Sequence, residues 1–486
     1  MADERDIPPV PERPDAPRIG VDEWVASAEG RTEHRTGVVG GAQRTLERIP
    51  DPARLAVVVG LAALLPFVLG SGDLFRFGLF TVLYALLALG LNVAVGFAGL
   101  LDLGYIAFYG FGAYTYAILA SPKYDWHLDT AIAIPIVVIL SAILGFLLGL
   151  PSRRLLGDYL AIVTLFFGQA FVTFVNSANP GGITGGANGL ADIDPFEFFG
   201  WELGHSTEEY FWFSLGALVV VAAALWSLSR SRIGRSWRAL REDPLAAELM
   251  GMPVNRLKLL AFSMGAAIAG LTGCIFAAVA TGVAAGAFDV SLLIIVYAIV
   301  ILGGAGSITG VLIGAILINV TFEILTPATP GTARLLFFAV ILGALVWKFR
   351  PWYRLLALLG GVVVFGAVVH ALAGAISDNA TAGAVEAGGR AASLIESWVV
   401  IPGDPGNWPK YAYVALVAMI LIVVRLQGWW RIAALVPTLY LAVFVWENLL
   451  VVEPAVTRLI LFGALLVALM NVRPQGLLGT ARVEIV

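Results

Sequence analysis

From Leu55 onward the chain alternates long apolar runs with short polar breaks. Candidate spans lie near 55–70, 75–95, 104–120, 130–150, 158–175, 211–228, 258–281, 291–303, 307–326, 332–348, 355–376, 410–425, 430–451 and 457–471, about fourteen in all. A helix rises about 1.5 Å per residue, so about 20 apolar residues cross the hydrocarbon of a bilayer. The shorter runs predict broken or re-entrant helices. Open strands cannot cross lipid, because their edge amides find no partner there, and the runs lack the period-two alternation of a barrel. The expected fold class is all-α, a polytopic transmembrane helical bundle with glycine-rich broken helices. Residues 1–54 break the pattern. MADERDIPPVPERPDAPRIG is rich in Pro, Arg, Asp and Glu without apolar periodicity and predicts a solvated, disordered tail rather than a signal peptide. A short helix near 42–48 is the only regular element expected in it.

Composition narrows the class. Of 486 residues 59% are hydrophobic and 13% charged, where a soluble domain has about a quarter charged. Mean hydropathy is +0.88. This excess argues against a cytosolic enzyme and requires the bilayer as a second solvent. The 54 glycines suit close helix packing and helix breaks. A net charge of −4 says less than its distribution. Arg230, Arg232, Arg235, Arg238, Arg241, Arg256 and Lys258 cluster in one loop, and Arg153, Arg154, Lys348, Arg350, Arg354, Arg425, Arg431, Arg473 and Arg482 mark other loops on the same side. The loops 121–129, 176–210, 282–290 and 377–409 fall on the opposite side, where 176–210 holds acidic residues and no Lys or Arg. Positive loops stay inside, which places both termini in the cytoplasm. The single cysteine, Cys274, forbids an intrachain disulfide and is expected as an inert core thiol.

Four segments carry more specific information. In 229–257, Asp243 can cap a short helix begun by Pro244, with Gly251 as its C′ residue. Such a helix in a basic loop is either a membrane-surface helix or a knob that docks in a partner's groove. Residues 89–119 place Asn92 and Asp102 among Gly96, Gly99 and Gly104 in an apolar stretch. Asp102 has two readings, an interfacial or N-cap carboxylate and a substrate contact. Tyr105 and Tyr109 are packing or gate aromatics. In 158–194, Thr184, Gly185, Gly186, Asn188 and Gly189 form a turn-rich loop, either a cap over the bundle mouth or a carboxylate site. His205 nearby stands alone, without metal-ligand spacing. In 296–318, Gly303, Gly304 and Gly306 break two apolar runs, and Ser307 is positioned to cap the second.

The run IGRSWRALREDPLAAELMGMPVNRLKLLAFSMGAAIAGLTG closely resembles the coupling region of branched-chain amino-acid ABC-transporter permeases, the LivM-like subunits. In that family an A-A-x-x-x-G element contacts the ATPases, and here it is Ala246, Ala247 and Gly251. The resemblance therefore implies an ATPase-coupling site of Arg241, Glu242, Asp243, Ala246, Ala247, Glu248 and Gly251. Leu245 stands where the wider importer consensus has Glu. The family also has runs similar to 89–119, to the TGGANGL loop and to LGGAGSITG, which implies a translocation path or gate at Asn92, Gly96, Gly99, Asp102, Gly104, Tyr105, Tyr109, Gly303, Gly304 and Gly306. Thr184, Gly185, Gly186, Asn188 and Gly189 belong to the implied outward loop.

The resemblance covers roughly residues 75–335 and 457–480. The family's R-P-x-G-L-L-G ending is Arg473, Pro474, Gly476, Leu477, Leu478 and Gly479. RLLFFAVILGALVWKFRP at 334–351 is similar to RLILFGALLVALMNVRP, as if the terminal helix occurs twice around an insertion. The expected divisions are a tail at 1–54, a permease core at 55–351, additional helices at 352–456 and a family-type end at 457–486. Asn379-Ala380-Thr381 in the insertion is a glycosylation-type triplet of little specificity.

No G-x-x-x-x-G-K-[ST] occurs, so no nucleotide is expected on a P-loop of this chain. No metalloprotease helix or nucleophile elbow occurs either, and no metal or catalytic residue is expected. The resemblance implies a permease subunit without its own cofactor. It would pair with a LivH-like second permease, two ABC ATPases that bind ATP and Mg, and an extracytoplasmic substrate-binding protein, in the plasma membrane of a prokaryote. No nucleic-acid partner is expected. Related permeases carry urea, short amides or other amino acids, and an ATP-independent channel or carrier is the alternative class.

Overall fold

The computed structural model describes residues 51–124, 126–152, 158–177, 182–204, 206–324, 352–383, 397–448 (apart from 404, 405, 407, 427, 428 and 446), 476 and 477. Most of the tail, the short helix near 42–48, the spans 332–348 and 457–471, the similarity of 334–351 to 458–474, Arg153, Arg154 and His205 lie outside the described residues.

The described chain is a helical bundle. Its helices are α1 Asp51–Ala63, α2 Ser71–Phe97, α3 Tyr105–Leu119, α4 Thr130–Ser152, α5 Asp158–Ser177, α6 Thr207–Arg230, α7 Arg232–Glu242, α8 Pro244–Leu249 and α9 Val254–Ala280. They continue with α10 Val290–Gly303, α11 Ile308–Ile324, α12 Trp352–Ile376, α13 Trp408–Arg425 and α14 Trp429–Val445. Among the described residues, 7 helical stretches are long and apolar enough to cross a membrane. The other predicted spans in described regions are also helical, but shorter. Strand is confined to β1 Leu190–Ala191, β2 Glu197–Phe198, β3 Trp201–Glu202 and β4 Gly282–Val283, with β1 antiparallel to β4 and β2 to β3.

Helices α2, α3 and α9 form the centre. Leu86, Leu87, Leu89, Tyr105, Phe108, Ala269 and Ile275 are fully buried there. Helices α4 and α5 lie outside them and expose Ile139, Ile143, Phe146, Leu147, Ile162 and Phe166. A band of exposed aliphatic and aromatic side chains is what lipid requires and water penalises. Small residues set the central spacing. A Cβ on Gly273 would stand 2.7 Å from the Ala113 nitrogen, and one on Gly112 would stand 2.8 Å from the Gly270 carbonyl carbon. Backbones this close exclude any side chain at the seam. Buried polar groups tie helices across it. Asn319 on α11 donates from Nδ2 to the Arg76 carbonyl at 2.9 Å and to Thr81 Oγ1 at 2.8 Å on α2.

Three of the loops expected on the acidic side meet at one end of the bundle. Here Lys123 Nζ donates to the Gly182 carbonyl at 2.5 Å, and His127 Nδ1 lies 2.5 Å from Asp194 Oδ2. There too the Ile193 amide donates to the Thr281 carbonyl at 3.2 Å. These bonds, with the pairing of β1 and β4, join 121–129, 182–204 and 281–290, three of the four loops expected on the acidic side, into one cap. The basic segment 231–253 packs at the opposite end, against 96–99 and 305–306.

Two features depart from expectation. The arginine-rich segment 232–242, expected as loop, is the helix α7, capped by Ser231 Oγ, which accepts from the Gly234 amide at 3.4 Å. Ile233, Trp237 and Leu240 recur at helical spacing and turn inward, while Arg232, Arg235 and Arg238 face out. Helix α6 starts earlier than the apolar run, at Thr207, because Ser206 Oγ accepts from the Glu209 amide at 3.3 Å.

The insertion holds α12, α13 and α14 with a small cluster of its own. The Tyr440 ring lies 5.6 Å from Phe365 and 5.7 Å from Trp398, centroid to centroid. Trp398 Nε1 donates to the Val363 carbonyl at 2.8 Å. The Asn379-Ala380-Thr381 triplet sits in a single 3₁₀ turn, Asp378–Thr381.

Cys274 has no exposed surface. Intact protein in membranes is expected to resist a thiol-reactive maleimide and to react after denaturation. Labelling of the native chain, measured by mass, would contradict this packing.

Candidate functional site

Three segments carry the chemistry: the knob α8, the glycine breaks, and the loop at the far end. Helix α8 has 6 residues, too few to persist alone. Its ends hold it. Asp243 Oδ1 accepts from the Leu245 amide at 2.8 Å and the Ala246 amide at 3.0 Å. This N-cap, expected from sequence, contributes about 1 kcal/mol. At the other end Gly251 adopts φ +80°. Its amide donates to the Glu248 carbonyl at 2.9 Å, and the Met252 amide donates to Ala247 at 3.0 Å. That pair of bonds is a Schellman ending, which favours glycine at the left-handed residue.

The knob divides its residues by face. Ala247 is buried against the bundle, whereas Glu242, Asp243, Ala246, Glu248 and Gly251 are exposed. Leu245, Leu249 and Met250 are 67%, 80% and 80% exposed. Three large apolar side chains displayed together in a charged loop mark a contact surface. Below the knob, Trp237 is fully buried, and its Nε1 donates to the Leu257 carbonyl at 3.0 Å. This bond fixes α7 to the start of α9.

Both glycine breaks meet at this end. Helix α2 finishes in wide π turns, Val93–Phe97, and the chain then runs without helix to Gly104. Helix α3 has only 15 residues, or about 22 Å, so it starts inside the bundle. Helices α10 and α11 are separated by 304–307, where Ser307 Oγ accepts from the Gly310 amide at 3.1 Å, the expected cap. Asn92 Oδ1 accepts from the Gly306 amide at 2.8 Å. Arg241 Nη1 donates to the carbonyls of Gly96 at 2.6 Å and Ala305 at 3.4 Å. A Cβ on Gly306, which has φ +87°, would lie 2.6 Å from Arg241 Nη1. A Cβ on Gly99 would lie 3.0 Å from Arg241 Cγ. Arg241, grouped from sequence with the exposed coupling residues, therefore turns inward and joins Asn92, Gly96, Gly99 and Gly306 in one cluster. No pattern within either segment announces this contact, because 145 positions separate Arg241 from Gly96.

Asp102 needs correction on one point. It is buried in the protein, and the N-cap position of α3 belongs to Gly104. Asp102 Oδ1 accepts from the Gly104 amide at 3.0 Å, and its carbonyl accepts from Tyr297 Oη at 2.6 Å. The carboxylate thus steadies the turn that leads into α3. Tyr105 is fully buried, and its hydroxyl donates to the Leu87 carbonyl at 2.9 Å. Tyr109 packs on Phe288 and Phe276 at 5.3 and 5.5 Å between ring centroids. Both aromatics are packed in this conformation. Gly303 and Gly304 are buried in the second break. Nδ2 of Asn92 is buried with no hydrogen-bond partner among the described residues.

The far loop is a packed cap. Thr184 Oγ1 donates to the Val175 carbonyl at 3.0 Å. Gly185, Gly186 and Gly189 have φ of +75°, +61° and +69°, and a Cβ on Gly189 would meet Ala284 Cα at 3.0 Å. Only Asn188 of the five expected loop residues is exposed.

Comparison with known proteins fits this architecture. Residues 74–345 match the family described as branched-chain amino acid transport system, permease component. The chain is 39% identical over 294 residues to the high-affinity branched-chain amino acid transport system permease protein LivM of Salmonella typhimurium, covering 56% of this chain and 68% of that protein. Its similarity to the LivM protein of Escherichia coli K12 has the same extent and identity. It is 27% identical over 261 residues to the LivH permease protein of Escherichia coli K12, covering 49% of this chain and 80% of that protein. No solved structure matches. The family match and the apolar helices make the chain a multi-pass membrane protein and a transporter subunit rather than an enzyme. The chain belongs to the branched-chain amino acid transport system permease family.

Proposed function

We propose that this chain is the LivM-like permease subunit of an ABC importer and forms part of the translocation path for branched-chain amino acids. The observation that carries the reading is the capped, outward-facing knob α8, displayed beside the two glycine breaks of a matched permease core. The knob docks on ATPase subunits that bind ATP and Mg, and this end faces the cytoplasm, as the arginine distribution favours. A LivH-like permease completes the path. The similarity of this chain to both LivM and LivH supports such a pairing. A substrate-binding protein delivers the amino acid to the cap formed by 120–130, 182–204 and 281–289.

Transport follows from differential stability of two states. Nucleotide-driven closure of the ATPases moves α8, and the bundle tilts to open toward the cap. Apolar walls suit aliphatic side chains, while helix ends and spare amides such as Asn92 Nδ2 suit the zwitterion. The reconstituted complex is expected to take up radiolabelled leucine, with excess isoleucine or valine reducing uptake by about tenfold or more. Competition by urea or short amides, and none by valine, would overturn the substrate assignment.

A further inference from the structure

We infer that Arg241 is the positioning residue that transmits movement of the knob to both helix breaks. The inference rests on the coupling role proposed for α8. Three helices end at this guanidinium. Arg241 lies in the last turn of its own helix α7, α2 ends at Phe97, and α10 ends at Gly303. The last carbonyls of a helix lack intrahelical partners and carry the negative end of its dipole. The cation sits among these ends and bonds the Gly96 carbonyl in the last turn of α2 and the Ala305 carbonyl two residues beyond α10. The contact to Gly96 at 2.6 Å is short, as a charge-assisted bond should be.

The link is rigid on both sides. Toward the knob, α7 and α8 are separated only by Asp243, whose side chain caps α8. Trp237 and Leu240 bury the inner face of α7. Toward the membrane, Asn92 Oδ1 holds the Gly306 amide, so the second break is tied to α2 independently of Arg241. A displacement of α7 therefore pulls α2 and α10 together. The glycines at 99 and 306 leave room for the arginine, and a methyl at Gly306 would occupy its place. Both bonds leave one nitrogen, Nη1, so a lysine ammonium on its shorter stem keeps the charge and part of the contact.

The test uses the full importer in vesicles and reads the number of substrate molecules carried per ATP hydrolysed. Arg241→Met is expected to lower this ratio by about tenfold or more, and Arg241→Lys by less. A purely structural role would change the amount of assembled complex and leave the ratio intact. An unchanged ratio in assembled Arg241→Met complex overturns the inference while leaving the importer reading in place. No ATP-dependent uptake by the unaltered complex would overturn that reading instead. A second measurement leaves Arg241 in place. Spin labels at Arg238→Cys and Leu101→Cys, both exposed, report the spacing of α7 from the first break, and buried Cys274 needs no replacement. If Arg241→Met fails to assemble, this pair decides. The spacing should stay constant between nucleotide-free and vanadate-trapped complexes. A change of about 5 Å or more, the scale of a one-turn slip, contradicts the link.

Discussion

Leu249→Asp is expected to remove nearly all ATP-dependent uptake while leaving the bundle folded. Leu249 is 80% exposed and makes the knob's apolar tip together with Leu245 and Met250. A central apolar anchor of an interface is worth about 2–4 kcal/mol, which corresponds to roughly 30- to 1000-fold weaker association. A carboxylate adds the cost of burying an unpaired charge in the groove. The same substitution removes no contact from the permease core, because the face it alters is bare. Co-purification of the ATPases with the membrane chain measures the effect, and uptake should fall in parallel. Ala247 is the poor choice for this test, since it is buried against the bundle and its replacement would disturb packing and docking together. Full ATPase retention by Leu249→Asp would contradict docking through this surface.

Gly112→Val is expected to have the opposite character, with loss of the fold rather than of docking. Gly112 faces the Gly270 backbone where α3 crosses α9, and even one methyl would stand 2.8 Å from a carbonyl carbon. Overpacking a tight core costs about 1–3 kcal/mol. The cost lies toward the upper part of that range here, because the obstacle is backbone that cannot change rotamer. The detergent-solubilised variant should unfold at lower temperature and yield less monodisperse protein. Gly216→Ala on α6 is the control. Nothing lies within 4 Å of its added Cβ, so its stability should stay within about 1 kcal/mol of the parent. Equal stability of the two variants would contradict the close crossing of α3 and α9.

The two outcomes separate what a local reading of the chain can show from what it cannot. Apolar run length located the long described helices, and local chemistry located the ends of α8 and the start of α11: Asp243 before Pro244, Gly251 after Met250, and Ser307 before Ile308. Each of these is decided within about one helical turn, so the signal is contiguous in sequence. Helix α7 escaped because four arginines in eleven residues lowered its hydropathy, although Ile233, Trp237 and Leu240 kept the helical period. The inward turn of Arg241 had no local signal. Whether an arginine meets a partner outside or two carbonyls inside depends on where α2 and α10 end, which only the assembled bundle decides. Asp102 is similar. A lone carboxylate in an apolar run fits several roles, and its bond to the Gly104 amide is decided by the turn that the folded chain makes there.

The central claim is that this chain carries substrate with energy borrowed from separate ATPases. The most direct measurement is leucine accumulation in vesicles that contain the permease pair, the ATPases and the binding protein, with ATP and then with a non-hydrolysable analogue. The account predicts accumulation against a gradient with ATP alone, and none when the permease chain is reconstituted without ATPases. Equal leucine uptake by the isolated permease chain in the absence of nucleotide would contradict it.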